Sequence, residues 1–308
     1  MKKVLTFIFL SILITSCSQN SSKNLQWIPF SWESGTDWGK YIEKMAIYLS
    51  VTIDELPYKL IMQLDLGTPS TVFYGKTLEA FLEKYPSLKG KLHTTKYLLM
   101  ENMNLQLDDV VFNDIKVGII YDYMGKELSL DTITHEIEIG TIGADLFQDK
   151  VLIIDYRLNR IAITDAVPSD YQNVSFVSFV NFRVGQGLIK IPFQINGNIE
   201  HLLFDTGGAY FCLMTTKKNA LSIGGTEILD SLKATSWAGP VSFYGLETVV
   251  PVSFGEKIME SSIVYYYTEY ALFDNFLKQE NLWGVAGNGY FLNDVIIIDY
   301  KNRRFGVK

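Results

Sequence analysis

At 308 residues, 48% hydrophobic and 20% charged, the chain can bury a sizeable core, as one bilobal unit or two small domains. Its net charge of −7, with no basic tract, argues against nucleic acid and anionic membrane surfaces as partners. Three histidines and two cysteines, with no HExxH or clustered Cys/His spacing, argue against a zinc site.

Met1-Lys2-Lys3 gives a basic start, and Val4 to Ile14 an apolar run too short for a comfortable membrane span. Ile14-Thr15-Ser16-Cys17 then resembles a bacterial lipobox, which implies a signal peptide over 1–16 and lipid on Cys17. The other reading is an ordinary cleaved signal with a coincidental cysteine. Multiple acyl chains make a stable anchor where a single one is marginal. Residues 17–24 are polar and read as a tether. The expected location is the bacterial cell envelope, lipid-anchored in the outer membrane. No acidic tract resembling a surface-export tag follows Cys17, which favours the periplasmic face. Loss of Lys2 and Lys3 with the signal would take the side-chain charge from −7 to −9.

The globular region opens with LQWIPFSW, Leu25 to Trp32, which alternates like a strand. Ala46 to Ile53 and Tyr58 to Leu64 read as a hairpin around Asp54-Glu55-Leu56-Pro57, and the second arm runs into Asp65-Leu66-Gly67-Thr68. Leu78, Phe81, Leu82 and Tyr85 follow at helical spacing, ended by Pro86. Lys91 to Met103 is a candidate hairpin containing Tyr97. Apolar strands then carry Thr141-Ile142-Gly143 and VLIIDYRLNRIAI, to Ile163. Pro168, Ser169, Asp170 and Asn173 break the pattern, which divides the chain into 25–170 and 171–308.

The second half repeats the first. Ser178 to Val184 matches the opening strand, and Leu188 to Ile195 and Ile199 to Phe204 form a hairpin turning at Asn196-Gly197. That hairpin runs into Asp205-Thr206-Gly207-Gly208. A weaker helical stretch follows from Thr215 to Leu221, then a hairpin candidate from Lys233 to Phe243 containing Trp237. Tyr265-Tyr266-Tyr267, opposite Tyr121 and Tyr123, reads as a strand with aromatics on both faces. Asp155, Tyr156 and Arg160 recur as Asp299, Tyr300 and Arg304 at an offset of 144, and Asp65 recurs as Asp205 at 140. Two ordered sets at nearly one spacing describe a tandem duplication. A pseudo-twofold axis then places one aspartate of each copy opposite the other.

The segment FDTGG, Phe204 to Gly208, resembles the Asp-Thr-Gly signature of pepsin- and retropepsin-type aspartic peptidases. In that family each lobe also carries a hydrophobic-hydrophobic-Gly element, here Thr141-Ile142-Gly143 and Val285-Ala286-Gly287. The resemblance runs from about Lys44 to the end of the chain. It implies an all-β bilobal fold with few short helices, built of two repeats related by a pseudo-twofold axis. It implies Asp65 and Asp205 as catalytic, Gly67, Thr68, Thr206 and Gly207 as loop support, and Tyr97 and Trp237 as flap residues near substrate. It also implies a monomer acting on a peptide or protein without cofactor or metal. One departure stands out: Leu66 occupies a position where the family has a Thr whose hydroxyl braces the opposite loop.

Two carboxylates about 3 Å apart cannot both ionise, so one keeps a proton while the other serves as base toward a shared water. A lipid-anchored endopeptidase is therefore the first expectation. A cleft that binds a peptide without cutting it is the second, prompted by Leu66. A purely structural lipoprotein, in which Asp-x-Gly only closes tight turns, is the third. Cys212 has no evident histidine base and reads as a buried apolar residue.

Overall fold

The computed structural model describes residues 25–37, 40–182, 187–208, 210–236, 239–259, 262–268 and 270–308. The signal, Cys17, the tether and Trp237 lie outside them. The first half is a run of strands: β1 (Ile28–Asp37), β2 (Lys40–Ile53), β3 (Leu60–Leu64) and β4 (Val72–Tyr74). Helices α1 (Gly75–Lys84) and α2 (Pro86–Lys89) precede β5 (Leu92–Thr94), β6 (Leu98–Leu107), β7 (Val110–Ile120), β8 (Ile137–Ile142), β9 (Val151–Asp155) and β10 (Arg160–Thr164). The second half begins with β11 (Phe176–Ser178), β12 (Val180–Asn181), β13 (Ile189–Ile195), β14 (Asn198–Phe204) and β15 (Leu213–Thr215). Then come α3 (Lys217–Ile223), β16 (Gly224–Ser236), β17 (Gly239–Thr248), β18 (Val252–Phe254), β19 (Lys257–Ile258) and β20 (Ile263–Tyr267). It closes with α4 (Ala271–Gln279), β21 (Gly284–Ala286), β22 (Val295–Asp299) and β23 (Arg304–Val307).

The protein is thus predominantly β, in two large sheets. One runs β11-β23-β22-β9-β10-β1-β2-β3-β8-β4-β7-β6-β5, and the other β16-β17-β20-β15-β21-β14-β13-β18-β19. Within them, the order β2-β3-β8-β4-β7-β6-β5 of the first half matches β13-β14-β21-β15-β20-β17-β16 of the second. Senses match as well: β3 lies parallel to β8 and β14 parallel to β21, while β4 and β15 run antiparallel to β8 and β21.

The first sheet joins the halves where β9 pairs antiparallel with β22, Ile153 opposite Ile297. Both strands are continuous apolar runs because both faces are covered: Leu152, Ile153, Ile154, Ile296, Ile297 and Ile298 are all fully buried. The hairpins beyond them close in the same way. Asp155 accepts hydrogen bonds from Arg160 Nε and Nη2, and Asp299 accepts one from Arg304 Nε at 2.8 Å. Burial works against the Asp299 charge, but Asn302 and Arg304 hold its carboxyl below the usual range.

The structure departs from sequence expectation at several elements. Pro86 does not simply end the helix; it is the first residue of α2, where a missing N–H costs nothing. In the second half, Asn196 and Gly197 both take positive φ, as a two-residue turn of this kind requires. Of the segment Ser178 to Val184, the described residues 178–182 form no single counterpart of β1: β11 and β12 are short strands on different sheets. Tyr265, Tyr266 and Tyr267 do lie on a strand, β20, whereas Tyr121 and Tyr123 fall beyond the end of β7.

Candidate active site

Each aspartate stands at the end of a strand that lies parallel to a strand carrying a glycine just past its end. Asp65 follows β3, and its N–H donates to Ile142 O at 3.0 Å; Asp205 follows β14, and its N–H donates to Ala286 O at 3.0 Å. Asp65 and Asp205, 140 residues apart in sequence, are brought close enough for each carboxyl to act on the titration of the other.

Both loops aim their amides at their own carboxylate. Gly67 N–H donates to Asp65 Oδ1 at 2.9 Å, and Gly207 and Gly208 N–H donate to Asp205 Oδ1 at 2.7 and 3.2 Å. The two loops also cross. A Cβ on Gly67 would overlap the Asp205 carboxyl, and one on Gly207 would overlap that of Asp65. Glycine is required here by close approach, not by φ.

Thr206 ties the loops together. Its fully buried hydroxyl donates to Leu64 O at 2.9 Å and accepts from Leu66 N–H at 2.9 Å, so one side chain satisfies two backbone groups of the opposite strand end. Leu66 packs into the core at 1% exposure and offers no reciprocal hydroxyl. Thr68, also buried, donates its backbone N–H to the Asp65 backbone carbonyl at 3.3 Å. Asn288 adds a further brace: its Nδ2 donates to Thr206 O at 3.1 Å while its Oδ1 accepts from Tyr156 Oη at 2.7 Å. The backbone of the Asp205 loop is thereby wired to the end of β9.

Burial and the neighbouring Asp205 charge push the Asp65 carboxyl well above its usual range. Burial also raises Asp205, but the hydrogen bond from Asp65 and the Gly207 and Gly208 amides oppose the rise. Both carboxyls are thus raised and the pair titrates as a unit that shares a proton.

Tyr123 is a site residue that strand patterning missed. The chain leaves β7 at Ile120 and turns through Met124 and Gly125, both at positive φ. Tyr123 then meets Tyr74 edge-on at 6.1 Å and lies within electrostatic reach of Asp65 and Asp205; burial first, then those carboxylates, raise its phenol. Gly125 was the available signal that the strand had ended. Tyr97 is at the turn between β5 and β6, 67% exposed, with Lys96 Nζ 5.3 Å from its ring centroid. Trp237, between β16 and β17 in sequence, lies outside the described residues. Cys212 is partly buried before β15, and desolvation pushes its thiol up to about 11. Among the described residues, no three His, Cys, Asp or Glu side chains group so as to hold a metal ion.

Neither a protein-family profile nor a curated protein sequence matches this chain.

Proposed function

We propose that the protein is a peptide-bond hydrolase of the pepsin/retropepsin type, with a duplicated bilobal fold and an envelope lipid anchor on Cys17. The observation that carries this reading is the buried, mutually coupled Asp65–Asp205 pair, held by two loops that cross at Gly67 and Gly207. The matching strand orders and senses of the two halves support the duplication. On this reading the β5–β6 and β16–β17 hairpins are flaps, since they occupy equivalent places at the sheet ends.

Asp205, ionised, takes a proton from a water lying between the carboxylates as the water oxygen bonds the scissile carbonyl carbon. Asp65 gives its proton to the carbonyl oxygen. Collapse of the resulting diol breaks the C–N bond, and the proton taken up by Asp205 passes to the leaving nitrogen. Asp65 takes its proton back from a hydroxyl of the collapsing diol, which becomes the carbonyl oxygen of the product, so the pair again holds one proton and is ready for another turnover.

Incubating the soluble domain with a diverse peptide mixture from acidic to neutral pH tests the proposal. Cleavage that vanishes in Asp205→Asn supports it. Absence of cleavage in wild type, together with failure to bind a statine-type transition-state mimic, rejects it. The Leu66 departure favours a second reading, a cleft that binds peptides without cutting them. Saturable peptide binding with no product would establish that instead.

A further inference from the structure

Lys40 begins β2, beside the turn of the β1–β2 hairpin, and its ammonium reaches the other sheet. Nζ donates to Asp230 Oδ2 and to Tyr210 Oη, both at 2.5 Å, and lies 5.0 Å from the Tyr210 ring centroid. The same Asp230 oxygen accepts from Tyr210 Oη at 2.7 Å and Tyr265 Oη at 2.6 Å. One carboxylate oxygen thus gathers three donors from three separate places: the first hairpin, the segment five residues past Asp205, and β20. Asp230 itself is on β16. Its side chain is 12% exposed and that of Lys40 42%, so the acceptor is shielded and the donor reaches it from the rim.

The equivalent hairpin of the first half is fastened differently. Lys91, just before β5, donates to both Asp54 oxygens at 2.9 and 3.0 Å, and Asp54 N–H donates to Asn104 O at 2.9 Å; all three residues belong to the first half. Two hairpins in matching places therefore have unlike restraints, one within its own half and one from across the molecule.

We propose that the β1–β2 hairpin is a clasp on the β16–β17 hairpin, with Lys40 as a positioning residue that locks this hairpin to the segment following Asp205 and leaves β5–β6 as the hairpin that lifts to admit a peptide. The proposal rests on reading both hairpins as flaps. Asp230 cannot keep its geometry on two tyrosines alone if the hairpin swings, because Tyr210 belongs to the loop after Asp205 and Tyr265 to β20. The ammonium is the element that closes the triangle.

Hydrogen exchange followed by mass spectrometry on wild type, Lys40→Ala and Lys40→Arg tests the clasp without requiring any catalysis. Protected amides of 224–248 and 207–211 should exchange about tenfold faster or more in Lys40→Ala, with 92–107 unchanged and Lys40→Arg close to wild type. With a cleavable peptide, Lys40→Ala should raise KM several-fold while kcat stays within about twofold, and Lys40→Arg should restore KM. Unchanged exchange in 224–248 overturns the clasp, and so does a uniform increase across the molecule, which would make Lys40 merely structural. Should Lys40→Ala not fold, Lys40→Gln, which keeps length and polarity, gives the same readout. If the protein cuts no peptide, the exchange pattern alone decides, so failure of the hydrolase reading and failure of the clasp remain separate results.

Discussion

The asymmetry between Thr206 and Leu66 concentrates the loop brace in a single hydroxyl. Thr206→Val should leave Leu64 O and Leu66 N–H buried without partners, at about 1–3 kcal/mol for each orphaned group, read from denaturant unfolding. Leu66→Thr is the reciprocal experiment: if the missing brace limits turnover, kcat rises or holds, whereas an unpaired hydroxyl would show only as lost stability. Asp205→Asn should lower kcat by about 10²–10⁴-fold while the fold is retained. The pH profile follows from the shared proton. On the hydrolase reading activity needs one proton on the pair, so it should follow a bell whose upper limb lies well above the ordinary carboxylate value of 3.8. Stability has the opposite slope to that of a typical salt-bridged aspartate. Between 3.8 and its raised value, the folded state keeps a proton that the unfolded state has lost, so stability falls as pH rises through that window. Asp65→Asn should therefore raise Tm at neutral pH, and the advantage should vanish near pH 3.5.

At the scale of elements, the two hairpins that end the halves pose a clean comparison. Tyr156 and Tyr300 are equivalent and both buried, yet Tyr156 Oη donates to Asn288 while Tyr300 Oη has no partner, alone among buried side-chain polar atoms of the described residues. The residue matching Asn288 in the first half is Ala144, which has no amide to offer. Tyr300→Phe should be neutral or stabilising, by up to about 1 kcal/mol, whereas Tyr156→Phe should cost about 1–3 kcal/mol by orphaning Asn288. Chemical denaturation of both variants checks the pair of signs. The junction strands make a simpler case: Ile297→Ala, fully buried between β9 and β23, should cost about 2–5 kcal/mol.

These strands were legible in sequence because they are long, apolar and bounded by polar turns. The aspartate loops were legible because each ends such a strand and turns on a glycine. The hairpin Ala46 to Leu64 was readable in its arms, but β2 begins earlier, at Lys40, since its first residues are held by pairing with β1 and not by their own pattern. Tyr123 could not be placed, because its nearness to the carboxylates comes from a loop conformation fixed by tertiary contacts. The Lys40–Asp230 contact was equally invisible: a sequence separation of 190 carries no local signal.

At the scale of the whole chain, the proposed anchor and the sheet that joins the halves raise separate questions. Cys17→Ser should release the protein from membranes if lipid holds it there, and fractionation of both forms measures this. No helix among the described residues is long and apolar enough to cross a membrane. The sheet that joins the halves has a bearing on synthesis. Strands β22 and β23, from the last fourteen residues, lie between β9 and β11, while β1, from the first residues of the globular part, pairs with β10 on the same sheet. A nascent chain lacking its final strands leaves the buried face of β9 without its neighbour, and Asp65 has no opposite carboxylate before residue 205 is made. A growing chain therefore carries no Asp65–Asp205 pair until residue 205 is made, and the sheet that joins the two halves is incomplete until β22 has been added beside β9.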